Sequence, residues 1–221
     1  MIQAYIQPEN TYSKPNRRSY RRDFDSLLKG KYIATCEGDD YWLTGYKLEK
    51  QINFLERNPD ASFCFHNAVI FDESSGKARL FSDCAVDCWH QLEDLIERNF
   101  IATASKVCRR SVSRKVDIPD EVKAGDWVAH FLDAELGKFY YFREVMSVYR
   151  LHGAGVWTSL DNRERVESGV QVMKLLNKLS NGKYQKEFDI AIKKRRGGGS
   201  QSFVTLVKRF ASGFVKRLER W

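Results

Sequence analysis

Three acidic residues, Glu37, Asp39 and Asp40, directly follow a short apolar run in the segment GKYIATCEGDDYW at 30–42. The run predicts a buried strand over 32–36, so the acids fall where that strand gives way to a loop. Carboxylates crowded at a strand end repel one another unless a cation lies between them. A hard divalent cation that bridges carboxylates to substrate phosphates fits this pattern. The alternative is an acidic surface turn.

Two later segments also carry polar groups that could take part in chemistry. AGDW at 124–127 places Asp126 at the start of a predicted helix, and YRLH at 149–152 places Arg150 and His152 after a predicted strand. Ligands of open α/β sheets bind at the carboxyl ends of strands, where such residues would lie. The structural alternatives are a helix N-cap for Asp126 and a polar loop residue for His152.

Together these three segments resemble family 2 glycosyltransferases of the GT-A fold. That family commonly carries GKYIxxxDxDDxW, an acidic base written ED or GDW, and a YRxH segment. This chain has KGKYIATCEGDDYW, AGDW and VMSVYRLHGAGVW in the same order, within residues 1–158. The resemblance implies a bacterial enzyme of cell-envelope polysaccharide biosynthesis. Such an enzyme moves a sugar from a nucleotide-diphosphate donor to a saccharide or lipid-linked acceptor, with inversion and with a metal ion.

The resemblance also implies which residues hold the metal ion and the donor. Asp39, Asp40 and His152 would ligate Mg²⁺ or Mn²⁺, with Asp40 as the first choice of ligand, so that the charge of the diphosphate leaving group is neutralised as it develops. The nucleotide sugar itself would contact Glu37, Asp39 and Arg150. A guanidinium suits phosphate oxygens because it can pair with two of them at once.

Asp126 is the catalytic base that the resemblance implies. An acceptor hydroxyl becomes a good nucleophile when its proton is taken, and a carboxylate at a helix start could remove it as the new bond forms. The family frequently has Glu-Asp at this position. Here Gly125 precedes the aspartate, so a single acid would do the work.

The resemblance is incomplete at the N-terminus. Family members usually open with a strand like SVIIPTYN and a second strand that ends in a base-contacting aspartate, whereas IQAYIQPEN at the start of this chain is similar to the third strand. We therefore expect an N-terminally truncated, incomplete GT-A (Rossmann-like) domain over 1–158 and a helical basic extension over 159–221. The alternative function is a non-catalytic remnant that acts as a binding or membrane-associated interaction module.

Hydrophobic periodicity predicts the elements that must position these residues. Helical spacing runs from Thr44, a candidate N-cap, to Asn58, and again from Asp126 to Gly137. Strands are predicted over 32–36, 62–71, 101–108 and 138–149. Strands that alternate with helices predict an α/β layered fold with a largely parallel or mixed sheet.

The net charge of +8 belongs to the tail. Residues 183–221 hold eleven Lys and Arg against three acids, and residues 1–182 are neutral. A nucleic-acid-binding domain would spread basic charge over its folded body, so we expect no nucleic-acid partner. Apolar residues between Phe203 and Trp221 recur every three or four positions and predict a basic amphipathic helix that contacts an anionic membrane peripherally; docking on the domain is the alternative.

The apolar runs, the N-terminus and the cysteine content of the sequence predict the cellular location. No apolar run approaches the ~20 residues that span a bilayer, and the polar N-terminus lacks a secretory apolar region. Five scattered cysteines suit a reducing compartment, so we expect a cytoplasmic protein, peripheral at the inner membrane face.

Cys84, Cys88 and His90 offer a competing zinc site, but a closed tetrahedral site needs a fourth ligand.

Overall fold

The computed structural model describes residues 27–113, 116, 118–119, 122–153, 155 and 159–197. The chain forms two compact units, Met1–Lys31 and Tyr32–Trp221, and the structure described below is that of the second. The strand expected at the N-terminus and the amphipathic helix expected at 203–221 lie outside the described residues. Within the described part, no helix is both long enough and apolar enough to cross a bilayer.

The described part of the second unit contains one mixed sheet. Its strands are β1 (Tyr32–Ala34), β2 (Tyr41–Trp42), β3 (Phe63–Asp72), β4 (Lys77–Leu80), β5 (Cys88–His90), β6 (Val107–Arg109) and β7 (Phe139–Leu151). They are ordered β1-β6-β3-β7-β2, with β4 on β3 and β5 on β7. β3 and β7 run parallel, and the other pairs are antiparallel. The mixed sheet with helices confirms the predicted α/β class.

Four helices accompany the sheet in the described residues. They are α1 (Lys47–Arg57), α2 (Gly125–Ala134), α3 (Asn162–Leu179) and α4 (Gln185–Gly197), and short 3₁₀ turns lie at Leu92–Leu95 and Thr103–Ser105. The second of these turns corrects the strand predicted over 101–108. There the Ser105 N–H and hydroxyl both bond to the Ala102 carbonyl, so the chain turns before β6 begins.

Side-chain alternation along β3 divides the core between the two faces of the sheet. Phe63 and Phe65 enter a large cluster with Phe131 of α2 and Phe188 of α4. Cys64, between them, belongs to a smaller cluster on the α1 side that includes Leu55, Phe142 and Met146. Such period-two alternation follows from strand geometry. The sheet is therefore a layer between helices, and both faces contribute to its stability.

Strand β2 directly follows Asp40 and has only two residues, so few backbone hydrogen bonds hold it. Side-chain contacts of Trp42 hold it in place as well. The indole N–H of Trp42 donates to the Ala104 carbonyl at 2.9 Å. The ammonium of Lys47, a fully buried residue at the start of α1, lies 4.5 Å from the centre of the Trp42 ring. The predicted cap Thr44 is not the N-cap of this helix, because that position is Tyr46. These contacts hold the end of the acidic loop against the sheet.

A buried ion pair joins the helix that carries Asp126 to the sheet. Lys106 Nζ lies 2.5 Å from Asp133 Oδ2, with 10% and 3% of the two side chains exposed. We expect Asp133→Ala to lower the free energy of unfolding by about 3 kcal/mol, because the substitution leaves a buried ammonium without its counter-ion. Urea denaturation followed by circular dichroism measures the change.

The matched control for Asp133→Ala is Glu167→Ala. Glu167 pairs with Arg196 at 3.2 Å, but about half of each side chain is exposed. Exposed pairs contribute about 0–1 kcal/mol, so this variant should unfold almost as the wild type does. Equal destabilisation by the two substitutions would contradict a structural role for the buried pair.

Candidate functional site

The acidic loop meets the end of β7 at one edge of the sheet. The loop turns through a bond from the Asp40 N–H to the Glu37 carbonyl, and β2 then pairs with β7 so that Tyr41 lies opposite Val148. The Arg150 N–H donates to Asp40 Oδ1 at 3.0 Å. His152 Nε2 lies 2.8 Å from Asp39 Oδ2. Both links join a residue of the loop to a residue that the sequence analysis placed in the same site.

Asp40 has a half-buried carboxyl group in this loop. Burial raises its pKa to about 6, and the neighbouring Asp39 charge adds to the effect, while the Arg150 N–H opposes it. Its Oδ2 atom is buried and has no hydrogen-bond partner. A charged oxygen held away from water without a partner is costly, and a cation beside it would remove that cost.

The donor atoms fit a hard divalent cation that is only partly held by protein. Across the described ranges, no group of three His, Cys, Asp or Glu side chains is arranged as a set of metal ligands. Mg²⁺ in phosphate-transferring sites is commonly held by one or two carboxylates, with substrate phosphates and water completing the shell. Asp40 Oδ2 and Asp39 meet that smaller requirement, and His152 would exchange its contact with Asp39 for the cation or a phosphate.

Arg150 contributes its backbone to the site more directly than its side chain. Its guanidinium forms an ion pair with Glu73, with Nε 2.7 Å from Glu73 Oε1, and this hydrogen bond raises the pKa of Arg150. To bind a donor phosphate, as the sequence analysis expects, Arg150 must leave Glu73. Exposed ion pairs contribute about 0–1 kcal/mol, so breaking the Arg150–Glu73 pair would require little free energy.

Asp126 lies inside the first turn of α2. The N-cap position is Ala124, so the alternative role of Asp126 as the N-cap is wrong. Burial raises the pKa of its carboxyl group, while backbone N–H groups and the Asn99 side chain oppose the rise. Asn99 Nδ2 donates to Asp126 Oδ2 at 2.7 Å. A carboxylate with a raised pKa and one oxygen held in place has the properties of a general base.

Tyr149, a half-buried residue of β7, is influenced by all four predicted acids. Burial raises the pKa of Tyr149 to about 12, and nearby carboxylate charges add to it. Those carboxylates are Asp40, Glu37, Asp126 and Asp39. Asp126, from a helix on one face of the sheet, thus shares an electrostatic environment with three acids from the β1–β2 loop. The charges of Asp39, Asp40 and Asp126 therefore all influence one tyrosine hydroxyl.

Sequence reasoning missed two residues of this site, Tyr149 and Asn99. Tyr149 lies within the YRLH segment, and its place in the alternation along β7 is the local signal for the position of its hydroxyl. Asn99 also accepts the Ile101 N–H at 3.1 Å and lies 3.2 Å from His130 Nδ1, so its amide orientation is constrained on several sides. Burial lowers the pKa of His130 well below its ordinary value, which makes it a neutral support for Asn99.

Comparison with known proteins leaves the family open. No family model matches the chain. Over 138 residues it is 39% identical to uncharacterized proteins of Mycobacterium bovis and of two strains of Mycobacterium tuberculosis. The match covers 62% of this chain and 40% of each relative, so the chain spans well under half the length of those proteins.

Proposed function

We propose that this chain is part of an inverting, metal-dependent glycosyltransferase of family 2 with a GT-A fold. Its donor would be a nucleotide-diphosphate sugar, and its acceptor a saccharide or a lipid-linked saccharide. The observation that supports this proposal is that the charges of Asp39, Asp40 and Asp126 all raise the pKa of Tyr149. That arrangement supplies a cation-binding edge and a separate base within one electrostatic environment.

The donor diphosphate would bind at the edge formed by the acidic loop and the end of β7. Asp40 presents its unpartnered Oδ2, and Asp39 lies beside it with His152 in contact. Mg²⁺ or Mn²⁺ bound there would neutralise the diphosphate as the sugar leaves. Arg150, once released from Glu73, would pair with phosphate oxygens, and exposed Glu37 would contact the ribose or the sugar.

The acceptor hydroxyl would lose its proton to Asp126. Asn99 holds Oδ2 of this carboxylate in place through a hydrogen bond. Attack by the resulting oxygen on the face opposite the leaving diphosphate inverts the anomeric centre. Burial of Asp126 keeps its pKa above the ordinary value, and a base whose pKa is closer to the working pH drives proton transfer more effectively.

Isothermal titration calorimetry with UDP, GDP and dTDP tests the proposal. We expect the chain to bind these diphosphates in Mn²⁺ or Mg²⁺ and at least about tenfold more weakly in EDTA, because carboxylates repel phosphates that no cation bridges. The matching monophosphates should bind weakly in either buffer. Equal binding with and without the divalent cation would overturn the proposal.

The acceptor class rests on sequence alone. The basic amphipathic segment at 203–221 lies outside the described residues, and its proposed contact with anionic lipid would place the site close to a lipid-linked acceptor. Co-sedimentation with anionic vesicles, compared for the full chain and a chain that ends at Arg196, tests this membrane contact; equal partitioning of the two chains would contradict it.

A further inference from the structure

Two cysteines, a histidine and an aspartate form a cluster in and beside strand β5, far from the acidic loop. Cys88 Sγ lies 3.4 Å from His90 Nε2, and His90 Nδ1 lies 3.1 Å from Asp94 Oδ2. Cys84 and Cys88 pack against the same hydrophobic cluster, which includes Tyr141. β5, which begins at Cys88, pairs with the opposite end of β7, roughly 30 Å from Arg150 at ~3.3 Å per residue.

The segment that carries the two thiols is accessible and tied to the sheet at defined points. Cys84 and Cys88 are both partly exposed, and the residues between them are exposed. Cys88 lies opposite Tyr141 in the β5–β7 pairing, and the Tyr141 hydroxyl donates to the Cys84 carbonyl at 3.3 Å. Both ends of the loop are therefore held at Tyr141, which keeps the two cysteines on the same part of β7.

We propose that Cys84 and Cys88 form a reversible oxidation site, in which a low-molecular-weight disulfide converts the two thiols into an intramolecular disulfide. Both cysteines are free in this structure. The inference rests on the cluster alone and is independent of the proposed sugar transfer. A metal site is disfavoured, because the described residues hold no group of three such side chains arranged to bind a metal ion.

The reaction takes two steps. The Cys84 thiolate attacks one sulfur of the small disulfide, forms a mixed disulfide and releases one small thiolate. Cys88 then attacks Cys84 Sγ, forms the Cys84–Cys88 bond and releases the second small thiolate. The two cysteines together lose two electrons, and the small disulfide gains them.

The neighbouring groups supply the proton movements of both steps. In the first step the neighbouring Cys88 thiol lowers the pKa of Cys84 to about 6. The neighbouring Cys84, with burial, raises the pKa of Cys88. Once Cys84 is in the mixed disulfide, the Cys88 proton can pass to His90 Nε2, 3.4 Å away, and Asp94 stabilises the imidazolium through Nδ1.

The expected rate advantage follows from thiolate content and nucleophilicity. At pH 7 a thiol with a pKa near 6 is about 90% ionised and an ordinary thiol about 1–3%, but thiolates of low pKa are weaker nucleophiles. The net gain is about fivefold. Exposed Cys36 is the internal reference, because burial and the nearby acids raise its pKa.

The test incubates the reduced full chain with glutathione disulfide at pH 7, quenches it with N-ethylmaleimide and maps the peptides by mass spectrometry. We expect a Cys84–Cys88 disulfide that forms at least about fivefold faster than glutathione attaches to Cys36, and that dithiothreitol reverses. Cys88→Ser should trap glutathione on Cys84, and His90→Gln should prolong that intermediate.

Cys36→Ser is the matched control and should form the internal disulfide at the wild-type rate. Circular dichroism checks that each variant is folded, and the wild-type measurement stands without any variant. The proposal is overturned if Cys84 and Cys88 are both alkylated while Cys36 carries glutathione, or if both retain glutathione without forming the internal bond.

Discussion

Asp126→Asn is expected to lower the rate of sugar transfer by about two to four orders of magnitude, with little change in donor affinity. The amide keeps the shape of the side chain and can still accept the Asn99 hydrogen bond, but it cannot take a proton from the acceptor. The initial rate of nucleoside diphosphate release, measured with and without a saccharide acceptor, gives the effect.

Asp83→Asn is the control for this variant, because it removes an exposed acid that is not part of the proposed sugar-transfer site. It should leave transfer unchanged. The pH profile gives a second measurement: wild-type kcat/KM should fall as the pH drops through the raised pKa of Asp126, and the residual activity of the variant should lack that limb. A variant with near-normal turnover would reduce Asp126 to a structural residue of the first turn of α2.

Asp40→Asn is expected to have opposite effects on ligand binding and on stability. Loss of the carboxylate should weaken metal-dependent nucleoside diphosphate binding by at least about a hundredfold, because the amide carries no charge for the cation. The same change should raise the free energy of unfolding by about 1 kcal/mol near pH 7, after allowance for solvent screening, because a half-buried charge is removed.

The pH dependence of this stability difference has a definite sign. The folded pKa of Asp40, about 6, lies above its ordinary value of 3.8. Its contribution to stability is therefore complete below about pH 4 and is lost as the pH rises through 6. The variant and the wild type should unfold at similar urea concentrations near pH 4 and diverge by pH 7. A variant that is less stable at pH 7 and binds diphosphates normally would contradict a ligand-binding role.

The elements that the sequence predicted well are those with strong local patterns. β3 and β7 are long runs of aromatic and β-branched residues, and their identity as strands follows from that composition. β2, β4 and β5 were missed because strands of two to four residues show little alternation, and β4 is exposed throughout. Their pairing is decided by contacts with β3 and β7, which local sequence does not encode.

The candidate site was predictable in its residue types but not in its connections. The acids at 37–40 and His152 were found from the sequence, and the structure brings Asp39 within 2.8 Å of His152. Two contacts of the site depend on how distant segments pack, so no local sequence pattern predicts them. These are the pairing of Arg150 with Glu73 and the hydrogen bond from Asn99 to Asp126. Nor does a helix-start aspartate indicate by itself whether it caps the helix, since neighbouring backbone geometry decides that.

The links that close the site also determine when it can form during folding. The Arg150–Asp40 and His152–Asp39 contacts join residues 110 and 113 positions apart, and β7 must pair in parallel with β3 across a long intervening segment. Contacts of such sequence separation carry a large loop-closure cost and form slowly. The acidic edge is therefore absent from chains in which β7 has not docked. A ligand of that edge would bind only molecules that have completed this step, and it would shift the folding equilibrium toward them in proportion to its occupancy.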